Sequence, residues 1–576
     1  MRVVRVLPDV SGLSKTFDYY VPADLPGPSV EVGSMVRVQL HGRRTAGWVV
    51  AVDVEPPSGV TLEPILKSSS IGPDQQVVDL AQWTARQWAG RWSAVLKTAS
   101  PERMVPSRPA APPSAPVSGG TQPDLESLFD GVGPRVVRSA PCADRFEIVR
   151  EAARRGPTII VTPEHHTALA LAGRLKRAGI ATFRYPEQWT GGLQNGVVIG
   201  ARSAIFATVP DLRSIVVINE HDEALANERN PTWNARDVAI ERSRRAEVPA
   251  VLVSAVPSLA ALAATDDVRL PARGPERAWW PLVQVIDRRD DDPGRGGLFS
   301  DPMIRRIRGE GRVLCILNRK GRAVMLACAT CGELARSESR EELMVEDNGA
   351  LVAPRSGETR PKVCIQCAGT KLKRVRLGVT RVAEELSVLL REPVGEVTGD
   401  STGVEGLAHR VVVGTEALLH RVSVADTVIF LDFDQELLAS RYRAAEQAMS
   451  LLLRAGTLVG PRAEGGRVLV QTRLPDHRVL RAAARAQPEL FTDAERELRR
   501  AAQLPPYGGL ALVRGSATSE FLVPLENRLD LELVGPDRNG QVLVKGPDRS
   551  SVAEALRELD RPKGGRVSVW VDPVRA

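Results

Sequence analysis

Alternating apolar and polar positions mark Met1–Val6 and Met35–Leu40 as half-buried strands, and Gly47–Val52 reads as a third. Gln75–Val95 follows with a helical pattern. These elements predict a compact, mostly-β unit over residues 1–103 with a helical region at its end. From Met104 to about Pro134 the chain becomes rich in Pro, Ser, Ala and Gly. Such a run buries too little apolar surface to offset its conformational entropy, which predicts a linker over 104–136.

Beyond it the alternation gives way to continuous apolar runs separated by helical stretches. One set is Thr158–Thr162, Val197–Ile199, Ile215–Ile218 and Ala250–Ser254. A second is Val313–Leu317, Val411–Val413, Val428–Leu431 and Val468–Gln471. Strands apolar on both faces belong in parallel sheets covered by helices. The fold class is therefore multidomain α/β, with one lobe at 137–300 and a second at 301–326 and 373–508. Leu510 to Ala576 reads as strand, strand, helix Ser551–Leu559 and strand Arg566–Val571, a small α+β domain at 509–576. Polar residues collect where the strands end, at Asn219-Glu220-His221-Asp222 and Asp432-Phe433-Asp434 among others. Folds of this class place ligands at the carboxyl ends of their strands, so a nucleotide-type site between the lobes, or the remains of one, is expected.

Between the two parts of the second lobe lie Cys328-Ala329-Thr330-Cys331 and Cys364-Ile365-Gln366-Cys367. Each pair forms a knuckle that presents both thiolates to one metal, and Gly332 follows the first where an unhindered backbone is useful. Reduced thiols or disulfides are the alternative, but both spacings fit a closed four-sulfur structural zinc site, expected in an insertion at 327–372. Such a site has no open coordination position and does no chemistry.

The length of 576 residues suits several domains, and 43% hydrophobic residues suffice for their cores. No apolar run approaches the ~18–20 residues needed to span a bilayer, and residues 1–9 lack a signal-peptide layout. Six cysteines, four of them in the metal pattern, suit a reducing cytoplasm. A net charge of +7 is a slight excess favouring a polyanionic partner.

The order of motifs resembles that of one family, the bacterial primosomal replication-restart helicases (PriA, within helicase superfamily 2). The resemblance runs through Lys15-Thr16-Phe17-Asp18-Tyr19, Val36-Arg37-Val38, Gly42, Val198–Phe206, Glu220-His221-Asp222, Ala235–Ala239 and Ser254–Ser258. It continues with Val413-Gly414-Thr415, Leu431–Asp434, Arg443–Glu446, Gln503–Tyr507 and Val571-Asp572-Pro573. The resemblance implies an N-terminal DNA-binding domain, two RecA-like lobes, a zinc-ribbon insertion and recognition of abandoned replication forks.

The departures are as informative. A phosphate-binding loop needs Gly-Lys-Ser/Thr, yet no Gly-Lys dipeptide occurs, and the corresponding stretch reads Ser139-Ala140-Pro141-Cys142-Ala143-Asp144-Arg145. The family's magnesium-binding Asp-Glu-x-His is reduced to Asn219-Glu220-His221, without the Asp charge. Leu458 and Pro461 stand where the family's two arginine fingers belong. Asn219, Glu220, His221, Leu458 and Pro461 are thus read as a degenerate nucleotide site that does not support ATP- and magnesium-driven unwinding, as in helicase-inactive members from high-GC bacteria. The family's eight cysteines and two zinc ions are reduced to four cysteines, implying one zinc per chain.

By resemblance, Phe17, Asp18 and Gly42 form a pocket for the 3′ end of a nascent strand, an aromatic face stacking on the terminal base while a carboxylate accepts its hydrogen bonds. Arg202 is a candidate phosphate contact; Arg236, beside Asp237, is read as a structural brace. No catalytic residue is assigned. The function implied is binding of stalled forks and promotion of primosome assembly by a cytoplasmic, nucleoid-associated monomer. Its implied partners are forked and single-stranded DNA, primosome proteins, the machinery that loads the replicative helicase and single-strand DNA-binding protein. The alternatives are a 3′–5′ helicase with an atypical nucleotide site and a protein-interaction scaffold that has left DNA.

Overall fold

The computed structural model describes all residues except 11–12, 14, 57–58, 110–122, 291–297, 318–324, 332, 334, 339–343, 348, 354–355, 376–378, 398–404, 563 and 575–576. Gly332 and much of the expected linker therefore lie outside the described residues. The chain divides into two units, Met1–Glu276 with Arg441–Ser450 and Pro488–Ala576, and Arg277–Ser440 with Leu451–Gln487.

The first unit begins with a closed five-stranded barrel in the order β1(Arg2–Pro8), β2(Phe17–Val21), β5(Glu63–Ser70), β3(Met35–Leu40), β4(Arg43–Val52). Closure removes the free edges that a small sheet would expose. Val4, Val6, Val36, Val38, Val49 and Ile65 fill its interior, and Arg37, between two inward valines, faces out. Helix Gln75–Gln87 follows, capped by Asp74, whose carboxylate accepts from the Val77 amide at 3.0 Å.

Next comes an all-parallel seven-stranded sheet of β6(Gly133–Arg138), β7(Thr158–Val161), β8(Thr182–Tyr185), β9(Val197–Gly200), β10(Ser214–Ile218), β11(Pro249–Ser254) and β12(Val268–Arg269), ordered β12-β6-β11-β10-β7-β9-β8. The continuous apolar runs are its fully buried central strands, as their lack of alternation dictates.

The second unit holds an all-parallel sheet in the order β13-β23-β22-β14-β21-β20, built from β13(Leu282–Asp287), β14(Val313–Ile316), β20(Val394–Val397), β21(Val411–Gly414), β22(Thr427–Phe430) and β23(Arg467–Thr472). Inserted after β14 are a β-ribbon of β15(Met325–Cys328) with β19(Leu372–Val375) and a three-stranded sheet of β16(Val345–Asp347), β17(Ala350–Val352) and β18(Thr359–Arg360). The last sheet, antiparallel and part of the first unit, is β25(Glu532–Val534), β26(Val542–Gly546), β24(Gly509–Arg514) and β27(Ser568–Val571), backed by helix Arg549–Glu558.

Four of the expected boundaries are corrected. The segment 104–136 is not linker throughout: helical turns occupy Pro123–Glu126 and Ser127–Phe129, Leu128 and Phe129 are buried, and β6 starts at Gly133. The first lobe ends at Glu276 rather than 300, because β13 pairs in parallel with β23 of the second sheet. The insertion extends beyond 327–372, since its ribbon pairs Met325 with Val375. Finally, 441–450 and 488–508, expected in the second lobe, belong to the first unit. There Arg499, almost fully buried, bonds Glu446 at 2.8 Å and Glu495 at 2.9 Å.

Barrel, parallel-sheet and C-terminal residues of the first unit share one apolar core. It contains Val77, Leu80 and Trp88, Ile215 and Val217, and Val544, Val552 and Val571. At its margin the Asn230 amide and Thr232 hydroxyl donate to the carbonyls of Val569 and Val571, at 2.8 and 2.7 Å.

Candidate nucleic-acid interface and metal centre

On the barrel, β2 begins with the two residues singled out for strand-end binding. Phe17 is part-buried against the interior cluster. The Asp18 carboxylate accepts a two-pronged bond from the Arg5 guanidinium, Nε to Oδ1 at 2.8 Å and Nη2 to Oδ2 at 3.1 Å. Arg5 lies directly opposite on β1, so the strand register itself makes the pair. Each Asp18 oxygen keeps a lone pair for a further donor. One residue on, the buried Tyr19 donates its hydroxyl to the Gln39 carbonyl at 3.0 Å, fastening β2 to the end of β3. There the chain reverses through His41 and Gly42, with φ of 47° and 75°. Two consecutive left-handed residues form the hairpin turn that suits strand twist, and glycine is the residue without a steric cost there. A Cβ at Gly42 would meet nothing within 4 Å, so that position is open to an incoming group.

Arg202 is not on the barrel. It starts the helical turn after β9, half-buried, and donates to the Ala224 carbonyl at 3.3 Å, bracing the turn that follows Asn219–Asp222.

Asn219 ends β10 in the left-handed region, at φ 51°, a conformation that asparagine tolerates better than most residues. Glu220 is fully buried and committed locally: Oε1 accepts from the Ser258 amide at 2.8 Å and Oε2 from its hydroxyl at 2.7 Å. Burial raises its carboxyl, opposed by Arg236 at 3.6 Å. Arg236 also binds Asp237 at 2.8 Å, and Asp237 binds Arg549 at 2.5 Å. Burial alone would raise the Asp237 carboxyl, but Arg236 and Arg549 hold it well below the usual carboxylate range. Arg443, from the short first-unit segment, bonds Asp572 at 2.7 Å. His221 shares a 2.7 Å hydrogen bond between Nδ1 and the Ser254 hydroxyl. Burial, reinforced by the Arg145 charge, pulls the imidazole down to about 3.

Arg145 lies at the end of the stretch 139–145, where the resemblance would place a phosphate-binding loop. Its guanidinium donates to the carbonyls of Ala140, Pro141 and Ala143 at 3.1–3.2 Å. A phosphate-binding loop turns its N–H groups inward around an anion. Here carbonyls turn inward around a cation, the opposite polarity. Burial draws this guanidinium down to about 10, and it is still charged at neutral pH. The sequence contained the Arg in the stretch already under suspicion, but not the direction of the backbone dipoles around it.

Leu458 and Pro461 belong to the second unit, where both are buried. The arginines flanking them are committed to main chain: Arg454 donates to the Leu419 carbonyl at 3.0 Å, and Arg462 to the carbonyls of Trp280 and Pro281 at 3.4 and 3.2 Å.

Cys328, Cys331, Cys364 and Cys367 bring their sulfurs within 4.8 Å of one another. The Cys328–Cys367 and Cys331–Cys364 separations are 3.4 and 3.5 Å. A zinc–sulfur distance of about 2.3 Å gives a tetrahedron edge of about 3.8 Å, so the four atoms fit one ion. Amides of Thr330 and Gln366 point at Cys328 and Cys364, each at 3.4 Å. Backbone N–H groups of Cys331 and Thr330 hold the Cys328 thiol low, at about 6. Gly369, which sequence reasoning passed over, leaves room for the sulfurs: a Cβ there would stand 3.1 Å from Cys328 Sγ and 3.3 Å from Cys367 Sγ.

Residues 5–101, the barrel and its helices, match a family model described as a 3′ DNA-binding domain. Over 596 residues the chain is 28% identical to the probable replication restart protein PriA of Mycobacterium tuberculosis, covering 92% of this chain and 89% of that one. It is 23% identical over 615 residues to the replication restart protein PriA of Rickettsia conorii, covering 96% and 93%. Similarity to the Haemophilus influenzae protein of the same name is 26% over 436 residues, 66% of this chain and 59% of that relative's length. Among the described residues no helix is long and apolar enough to cross a membrane.

Proposed function

We propose that the chain is a replication restart protein of the PriA kind, as its similarities indicate, and that it binds abandoned replication forks and promotes reassembly of the primosome without unwinding DNA itself. The observation that carries this reading is the closed barrel matched as a 3′ DNA-binding domain, with Phe17, Asp18 and the open Gly42 turn on it. Phe17 stacks on the terminal base of the 3′ strand. Asp18, oriented by Arg5, accepts from its sugar or base, and the bare Gly42 turn leaves room for the strand end. Arg202 serves the backbone phosphates. The lobes act as scaffold: Arg145 fills the loop where phosphates would sit, Glu220 is spent on Ser258, and Leu458 and Pro461 carry no charge. ATP turnover is therefore absent, with or without DNA.

The four cysteines hold one structural zinc per chain, which supplies local folding energy and no chemistry. The protein works as a cytoplasmic, nucleoid-associated monomer alongside single-strand DNA-binding protein, primosome proteins and the loading machinery of the replicative helicase. The test compares forks ending in a 3′-hydroxyl with forks blocked by a 3′-phosphate, measured by fluorescence anisotropy. Tighter binding to the hydroxyl fork, lost in Asp18→Ala, is expected; equal binding of both forks by the unmodified protein would overturn the assignment.

A further inference from the structure

Outside the strand-end site, the barrel carries a cleft of about 560 Å³ on its outer face, between β3, β4, β5 and the segment Pro101–Met104. Arg37, Arg44, Lys67 and Arg103 line it, with Glu102 and Ser69. None of the four cations makes a side-chain hydrogen bond or ion pair among the described residues. Their placement follows from the register. Arg37 on β3 lies directly opposite Lys67 on β5, and Arg44 on β4 lies opposite Gln39, two residues along the same outward face. Like charges directly opposite on neighbouring strands repel and cost stability. Here that cost stands on strands about 4.8 Å apart, with Glu102 the one carboxylate in the lining and paired with none of the four cations among the described residues.

We infer that this cleft is a track for the phosphodiester backbone of DNA. A nucleic-acid strand offers one negative charge per nucleotide, a density that a row of cations on adjacent strands can match along its length. The cleft also continues the expected strand-end site, since Arg44 lies two residues beyond the open Gly42 turn. An acidic protein segment is the other polyanion, but it would bring side chains needing apolar anchors, and the lining offers only Met35, Met104 and Pro101 among its charges. The cleft reads charge, not the chemistry of the strand end. The inference rests on the DNA-binding reading above.

The test uses the full-length protein. Dissociation constants for a blunt duplex and for the two forks above are measured across a salt series, for wild type and for the double variant R37Q/K67Q. Each lost phosphate contact should lower the log–log salt slope by roughly one, so the double variant should lose about two on every DNA while its preference for the 3′-hydroxyl fork is unchanged. Its unfolding midpoint should equal or exceed that of wild type, because a repulsion is relieved. R103Q, outside the barrel strands, should lose about one and keeps the test open should the double variant fail to fold. DNA binding with an unaltered slope in these variants would overturn the inference while leaving the restart function standing. No DNA binding by wild type would overturn both. Polyglutamate captured by wild type but not by R37Q/K67Q, with the DNA slope unaltered, would overturn it in favour of an acidic protein partner.

Discussion

Along the barrel cleft, Arg37, Arg44, Lys67 and Arg103 have no side-chain partner among the described residues, whereas elsewhere in the same unit Arg236, Arg443, Arg499 and Arg549 each end on a carboxylate. A cation without an internal partner is available to a ligand; one held between buried carboxylates is committed to the fold. Arginines sit in both places, and only their surroundings separate a binding surface from a brace.

The largest effect expected from disturbing this contrast comes from Arg236→Ala. Removing that guanidinium leaves the buried Glu220 without a counter-charge and Asp237 with Arg549 alone, a loss of about 3–5 kcal/mol that calorimetry would register as a much lower unfolding temperature. Arg236→Lys should recover only part of it, lacking the fork that reaches Ser258 and Asp237 together. Next is Phe17→Ala, where loss of one stacked base costs ~1–3 kcal/mol. Fork binding that depends on a free 3′ end should weaken about ten- to a hundredfold in titrations, while blunt-duplex binding holds.

A further effect concerns pH. His221 stays neutral in the folded protein down to about 3, whereas in the unfolded chain it takes up a proton near 6.5. Stability is thus lost as pH falls from about 6.5 toward 3, because the unfolded state then binds the extra proton. His221→Gln should flatten that part of the stability profile in denaturant titrations at pH 4, 5 and 7, and a slope unchanged by the substitution would contradict the assignment. Least of all, Arg145→Gly should leave ATP turnover at background in a coupled assay. Opening the loop does not supply the lysine or reorient its carbonyls.

Much of this architecture was legible in the chain. Runs such as Ile215–Ile218 and Val411–Val413 could only be doubly covered strands, and two Cys-x-x-Cys pairs could converge on one point. What was hidden depended on long-range pairing. β13 reads locally like a continuation of the first lobe, and only its alignment with β23 assigns it to the second sheet. The stretch from Pro123 to Val136 looks like linker by composition, yet Leu128, Phe129 and Val136 provide enough apolar surface to fix it. At the candidate site, the sequence identified Asp18 and the altered stretch 139–145, but not that Asp18 is held by Arg5 or that Arg145 is held by carbonyls of its own loop. Residue identity specifies a charge; its counter-charge is set by the fold.

The discontinuous make-up of the first unit has a consequence for biosynthesis. Its core draws Val77, Leu80 and Trp88 together with Val544, Val552 and Val571, while residues 277–440 form most of a different unit. During translation the N-terminal portion must wait for everything after Glu276 to emerge, ~15–60 s at ~5–20 residues per second. Throughout that interval the surface that later meets the C-terminal sheet is uncovered. Nascent chains of this protein should therefore present a defined apolar patch to ribosome-associated chaperones, and release from them should coincide with synthesis of its final strand.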